Sequence, residues 1–307
     1  MKNILVTGSS GFIGYNLVNK LVDSYNVVGI DNLSNSHTPA TKHENFKFIN
    51  CNIENLDDLD NVFAQNKIDS VIHLAAKVGV RDSIKHPQMY AQTNIIGTLN
   101  LLECIKKHNC KKLIFSSSSS VYGNCKEPTF KENNTNIVPI SPYAETKLAG
   151  EKFCKIYSDL YDINTICLRL FTVYGPYQRS DLAISKFTKL ITEEKPVPMY
   201  GNGETLRDYT YVDDVTDAII KALNQNNIKY EILNVGNESP TKLCDIISLL
   251  GKCIGKQAEI EQLPMQKGDV DKTCADKEKC EKVLNFKTKI TIETGIKKYI
   301  DWYNKHV

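Results

Sequence analysis

Apolar residues gather in short, nearly continuous runs at positions 3 to 7, 27 to 31, 46 to 50, 69 to 74, 111 to 116 and 164 to 169. Between them, apolar positions recur every three or four residues. Unbroken runs of that length read as strands covered on both faces, with the intervening helices as covers, so the pattern predicts an α/β fold on a doubly wound parallel sheet. One helical stretch extends from Ser83 to His108, with Ile95, Leu99, Leu102 and Ile105 at helical spacing. A second extends from Pro142 to Leu160, with the proline in its first turn, where a missing N–H costs nothing. After Gly175-Pro176 the rhythm loosens into a helix over 184 to 192, a loop at Gly201-Asn202-Gly203, a helix over 212 to 223 and short elements as far as Trp302.

The first run leads straight into Gly8-Ser9-Ser10-Gly11-Phe12-Ile13-Gly14, and the second ends at Asp31-Asn32. Glycines at this spacing let the backbone turn tightly and approach a pyrophosphate at a helix N-terminus, while Gly14 lets helix and strand pack. A carboxylate ending the second strand can accept hydrogen bonds from an adenosine ribose and would repel a 2′-phosphate, which favours NAD over NADP. A glycine-rich turn with Asp31 as a helix cap would account for the residues but not for their order, which is strand, glycines, apolar helix and second strand. The expected organisation is a Rossmann-type NAD-binding domain over 1–175 and a smaller substrate-binding α/β region over 176–307, with the chain crossing back between the two.

Composition excludes several alternatives. With 41% hydrophobic and 24% charged residues the chain is an ordinary globular one, and a net charge of +2 provides no basic field for nucleic acid. No apolar run reaches membrane-spanning length, and the amino terminus enters the first strand without a signal peptide's regions, so a cytoplasmic protein with no membrane partner is expected. The ten cysteines contain no C-x-x-C pair, and Cys104, Cys154 and Cys167 fall inside helical or strand-like patterns. Buried free thiols, with no metal, are the expectation.

Tyr143 and Lys147 are one helical turn apart, so both reach the same side of the helix after Pro142. An ammonium there favours the phenolate and makes the tyrosine a general base, as would the positive nicotinamide of NAD⁺. The pair alone is common on solvated helix faces. Its context is a run of serines, Ser116 to Ser120, at the carboxyl end of a parallel strand, where open α/β sheets hold ligands and Ser118 can bond a reacting hydroxyl.

Gly8-x-x-Gly11-x-x-Gly14, Ser118 upstream of Val121-Tyr122-Gly123, and Tyr143-x-x-x-Lys147 together resemble the extended short-chain dehydrogenase/reductases that modify nucleotide sugars. The resemblance spans nearly the whole chain. It implies that bound NAD⁺ takes a hydride from a sugar carbon while Tyr143 takes the hydroxyl proton, giving a keto sugar. It also implies cofactor contacts from Gly8, Gly11, Phe12, Ile13, Gly14, Asp31, Asn32, Asn52 and Ile53, from Leu74, Ala75, Ala76 and Lys77 after His73, and from Asn94, Tyr143 and Lys147. Asn52 stands where many relatives carry an aspartate for adenine. Homodimers through the two long helices are common among such proteins, and Leu99, Leu102 and Leu148 are the expected contributors.

After Ser118 the chain has Ser119 and Ser120, where the resembling 4,6-dehydratases carry an Asp-Glu pair and the UDP-glucuronate decarboxylases carry a glutamate at the second position. Without a carboxylic acid to donate a proton, return of the hydride to the opposite face remains, which is epimerisation. Thr172, Arg179 and the stretch Pro264 to Val270 resemble the UDP-glucuronate 4-epimerases. Hydroxyls of Ser119, Ser120 and Thr172 can donate to a sugar carboxylate and hold it near the carbonyl plane, where loss of CO₂ from a β-keto acid is disfavoured. The resemblance further assigns Tyr200 to uracil stacking, Arg207 and, ranked below it, Arg179 to the diphosphate, and Asp269 to the uridine ribose. UDP-glucose and UDP-N-acetylglucosamine remain alternative substrates, the small Thr273 leaving room for an N-acetyl group; a non-catalytic NAD-binding regulator is the remote alternative.

Overall fold

A computed structural model describes residues 1–36, 38–265 and 270–307. Its central sheet has seven parallel strands: β1 (Asn3–Thr7), β2 (Asn26–Asp31), β3 (Phe46–Asn50), β4 (Ser70–His73), β5 (Lys112–Ser118), β6 (Asn164–Leu170) and β10 (Tyr230–Val235). The spatial order is β10-β6-β5-β4-β1-β2-β3. The first six strands are the six apolar runs. The seventh comes from the chain beyond Gly175 and pairs in parallel with β6, so the C-terminal half returns to complete the sheet.

Alternation along each strand sends side chains to both faces, and both are covered. On one face Ile4, Val6 and Ile72 pack under α1 (Phe12–Leu21), α8 (Val212–Leu223) and α10 (Glu278–Leu284). On the other, Leu5, Val71, Leu113 and Phe115 pack under α2 (Leu56–Gln65), α5 (Gly97–Lys107) and α6 (Pro142–Tyr161). The remaining elements build a smaller region. There β7 (Thr172–Tyr174), β9 (Leu206–Tyr211) and β11 (Pro240–Lys242) form a sheet, and β8 (Val197–Tyr200) pairs with β12 (Ile260–Leu263). Helices α7 (Ala183–Thr192), α9 (Leu243–Ile254) and α11 (Ile292–His306) enclose its core, which includes Tyr174, Phe187, Tyr209, Tyr211 and Tyr299.

Three local expectations change. The helix expected over Ser83 to His108 is four pieces: α3 (Val80–Lys85), α4 (Pro87–Ala91), a π-helical turn Gln92–Ile96, and α5. Pro87 can donate no hydrogen bond, and His86 before it takes the non-helical angles φ −130° and ψ 53°, so the chain breaks and restarts there. Leu102, expected at an interface, is fully buried against the sheet, and Leu148 packs on the cluster of Val121, Tyr122 and Phe130. On α6 the exposed large hydrophobic residues are Ile156, Leu160 and Tyr161. Among the described residues no helix is long and apolar enough to cross a membrane.

Candidate active site

The order of strands reverses between β4 and β1, and a cleft of about 300 Å³ opens at the carboxyl ends of the strands around that point. Its first end is the glycine turn. Gly8 has φ +70°, and a Cβ on it would meet Ala75 N at 2.8 Å; a Cβ on Gly14 would lie 2.0 Å from Gly8 O. Both glycines are therefore required by the close approach of α1 to β1 and of the turn to the exit of β4. Among the described residues no side chain caps α1, whose first turn borders the cleft at Gly11, Phe12 and Ile13. Asp31 ends β2 with its carboxylate accepting from Ser10 N at 3.1 Å and Leu33 N at 2.8 Å, joining the glycine turn to the next loop. Asn32, Asn52 and Ile53 line this end too, and Asn52 Oδ1 accepts from Glu54 N.

The cleft wall at Leu74, Ala75, Ala76 and Lys77 is held from behind by His73. Burial and the charge of Lys147 push His73 down to about 3, so the ring is neutral. Thr98 Oγ1 donates to Asn94 O at 2.7 Å, so its contact with His73 Nε2 at 3.0 Å makes Nε2 the donor. Nδ1 then accepts from Thr7 Oγ1 at 2.7 Å, and that oxygen accepts from Ala75 N at 3.0 Å. Asn94 does not border the cleft. It is buried behind the wall, with Oδ1 accepting from Lys77 N at 2.8 Å and Nδ2 donating to Lys77 O at 3.0 Å.

Ser118, Tyr143 and Lys147 meet at the other end. Ser118 Oγ accepts from Ser120 N at 3.2 Å and Ser120 Oγ at 2.8 Å, which leaves its own proton to give. Burial pushes the Tyr143 phenol above its usual range, while the hydrogen bond with Ser118 and the positive charge of Arg179 pull it down. Lys147 Nζ donates to Ser116 O at 2.7 Å, and burial brings the lysine down to about 8. The influences on the phenol therefore include a serine and an arginine, whereas sequence spacing had pointed to the lysine. Tyr90, from α4, also went unnoticed in the sequence: its ring meets Tyr143 edge-on at 6.2 Å, and its hydroxyl donates to Val78 O. Nothing in its spacing marks it, because the break at Pro87 aims it.

Of the residues expected to hold substrate, Arg179 is among the described lining residues of the cleft, whereas Ser119, Ser120, Thr172, Tyr200 and Arg207 are not. Arg179 lines the cleft, its guanidinium forked onto Asp181 at 2.8 Å, and its charge acts on Tyr143 and Tyr90. Ser119 and Ser120 form the 3₁₀ turn after Ser118, and Thr172 opens β7 between the cleft residues Phe171 and Val173. Tyr200 has the Arg81 guanidinium over its ring at 5.1 Å. Arg207 lies on β9, donating to Leu206 O, and Thr273 Oγ1 accepts from Asp208 N. Asp269 is outside the described residues.

Residues 4–236 match the NAD dependent epimerase/dehydratase family. The chain belongs to that family. It is 40% identical over 314 residues to the UDP-glucuronate 4-epimerase of Thermodesulfobacterium geofontis, covering 99% of this chain and 96% of that one. A crystal structure of UDP-glucuronic acid 4-epimerase from Bacillus cereus, with UDP-glucuronic acid and NAD, superposes with a TM-score of 0.93 at 38% identity, covering 99% of this chain and 100% of that one. The UDP-glucose 4-epimerase of Thermotoga maritima, with UDP-glucose, reaches 0.94 at 34% identity and 99% of both chains. The family's cofactor suits the cleft. The turn has no Cβ where a pyrophosphate would rest, Asp31 stands one strand away for a ribose, and Tyr143 and Lys147 close the far end.

Proposed function

We propose that the protein is a UDP-glucuronate 4-epimerase, interconverting UDP-glucuronate and UDP-galacturonate. The coarser activity, NAD-dependent 4-epimerisation of a UDP-sugar, follows from its family and from relatives similar over nearly its full length. One observation carries the finer reading. Among the described residues lining the cleft the single carboxylate is Asp31, at the end remote from Tyr143, whereas the reacting end has serine hydroxyls and the Arg179 guanidinium, which is itself paired with Asp181. An anionic sugar is favoured by such a lining and would be repelled by a carboxylate there.

In this reading the Ser118 hydroxyl donates a hydrogen bond to the sugar O4 and orients it, and Tyr143, as the phenolate, removes the O4 proton as C4 is oxidised. When bound, NAD supplies a hydride acceptor and returns the hydride to the opposite face, so no net oxidation remains. Tyr143 keeps the proton during the life of the 4-keto sugar and gives it back, so no further acid is needed. Lys147 supplies a positive charge one turn along α6 from Tyr143, the hydroxyls of Ser119, Ser120 and Thr172 hold the sugar carboxylate, and Arg207 and Arg179 serve the diphosphate.

Incubation with UDP-glucuronate, UDP-glucose and UDP-N-acetylglucosamine, followed by anion-exchange chromatography and proton NMR of the sugar H4, tests the assignment. UDP-galacturonate is expected to form fastest. Rapid turnover of UDP-glucose with none of UDP-glucuronate would refute it, and the high similarity to the Thermotoga maritima enzyme makes UDP-glucose the second reading.

A further inference from the structure

Helix α6 carries a third ionisable group in line with the reacting pair. Tyr143, Lys147 and Glu151 follow at intervals of four, which sets their side chains along one side of the helix, against β5. Glu151 is 2% exposed. Its Oε1 accepts from the Ser117 hydroxyl at 2.5 Å and from Arg169 Nε at 2.8 Å, and its Oε2 accepts from Arg169 Nη2 at 2.7 Å. Ser117 and Arg169 are direct partners across the β5–β6 ladder, so the carboxylate clasps both strands at one point. The next residue back along β5, Ser116, offers the carbonyl that Lys147 holds.

A buried ion pair is a weak source of stability, because desolvating two charges offsets most of their attraction and apolar residues often serve as well. Fold stability alone therefore gives little reason for this one. We propose that Glu151 is a positioning residue of the reaction, a buried anion fixed by Ser117 and Arg169 that keeps the Lys147 ammonium charged and seated beside Tyr143. The proposal rests on the reading of Tyr143 and Lys147 as the reacting pair.

The surroundings of Lys147 leave Glu151 this task. From β4 it faces neutral His73; from β5, the Ser116 carbonyl and the Phe115 ring, 5.2 Å from Nζ. From its own helix come Tyr143, Glu151 and the Cys154 thiol, and the groups behind Glu151 are Arg169 and Cys167 on β6 and Tyr230 on β10. Burial drives Lys147 toward its neutral form, and electrostatic interaction with Cys154 and with the Glu151 carboxylate opposes that. The Arg169 guanidinium, forked onto Glu151 through Nε and Nη2, also stands over the Tyr122 ring at 4.8 Å.

The test uses the full NAD-loaded protein and two variants, Glu151→Gln and the double variant Glu151→Gln with Arg169→Met. The single variant strands the arginine's charge; the double variant leaves the interior neutral, and its folding is checked by circular dichroism. The Lys147 titration is followed by NMR of ¹³Cε-labelled lysine, assigned with Lys147→Met, with no sugar present. The pH dependence of kcat and KM for epimerisation is measured in parallel. In the double variant the Lys147 midpoint is expected about one pH unit or more below that of the wild type. The alkaline limb of kcat should move with it, leaving KM nearly unchanged. A folded double variant whose midpoint and limb coincide with the wild type would show a purely structural role and overturn the proposal. A wild-type midpoint below neutral pH would overturn it without any variant. Failure to turn over UDP-glucuronate refutes the substrate reading alone, since the lysine titration needs no sugar and the limb can be read on UDP-glucose.

Discussion

Asn94 donates a 3.0 Å hydrogen bond from Nδ2 to Thr146 Oγ1, and through it the cofactor wall and the catalytic helix are one hydrogen-bonded unit. Thr146 in turn donates to Tyr143 O at 2.8 Å, and the other contacts of the Asn94 amide are to the backbone of Lys77. The path from Lys77 to Tyr143 thus crosses two side chains. Asn94 stands in the π-helical turn Gln92–Ile96, a wider turn of the kind often found at functional sites.

Replacing Asn94 with Ala should loosen both ends of that path. The change strands Lys77 N and O in a partly buried setting, at about 1–3 kcal/mol for each group left without a partner. NAD should be lost from the variant during gel filtration, measured by absorbance and by release on denaturation, and kcat should fall by about tenfold or more, since small displacements of positioned groups are costly. Full retention of NAD together with unchanged kcat would show that the Asn94 contacts do not position the wall.

Much of this arrangement was legible in the sequence because it depends on local rules. The six apolar runs became strands, and Gly8, Gly14 and Asp31 occupy the positions their spacing implied, since close backbone approach admits glycine and little else. What was not legible depends on distant parts of the chain. Strand β10 looks like any short apolar segment until β6 receives it, and α2 is announced by the Asn55 cap and the acidic Asp57 and Asp58, a signal that was passed over. Tyr90 and Arg179 reach Tyr143 only through a proline break and a tight loop, in which Tyr177 takes φ +65°. Asn94 was expected to contact the cofactor, and its bonds to the Lys77 backbone and to Thr146 follow from which groups lie beside it after folding.

Lys147 should set activity against stability. Its folded value of about 8 is below the 10.5 of an exposed lysine, so the folded state binds fewer protons than the unfolded one between those limits. The burial penalty of its charge is therefore fully present below about pH 8 and fades as pH rises toward 10.5. Lys147→Met removes that penalty. The variant should be more stable than the wild type by roughly 1–3 kcal/mol at neutral pH, with the difference shrinking above pH 8, and it should have almost no epimerase activity. Urea unfolding of both proteins at pH 7 and pH 9.5 provides the comparison, and a variant less stable than the wild type at pH 7 would contradict it.

Asp31 carries the expected choice of NAD over NADP, and its two backbone contacts make the prediction specific. In Asp31→Asn, Oδ1 can still accept from Leu33 N, but the new Nδ2 cannot accept from Ser10 N, nor a second bond from a ribose. Loss of a hydrogen bond to a charged group weakens binding by about 1.5–3 kcal/mol, or roughly ten- to a hundredfold. NAD affinity of the cofactor-stripped protein, measured by calorimetry, should fall by that factor. NADP should suffer much less, because the repulsion between a 2′-phosphate and the carboxylate disappears in the same step. The ratio of the two affinities is the decisive quantity, since a merely loosened glycine turn would weaken both cofactors equally. A ratio unchanged from the wild type would remove Asp31 from the ribose and leave it as a tie between the turn and the loop that follows β2.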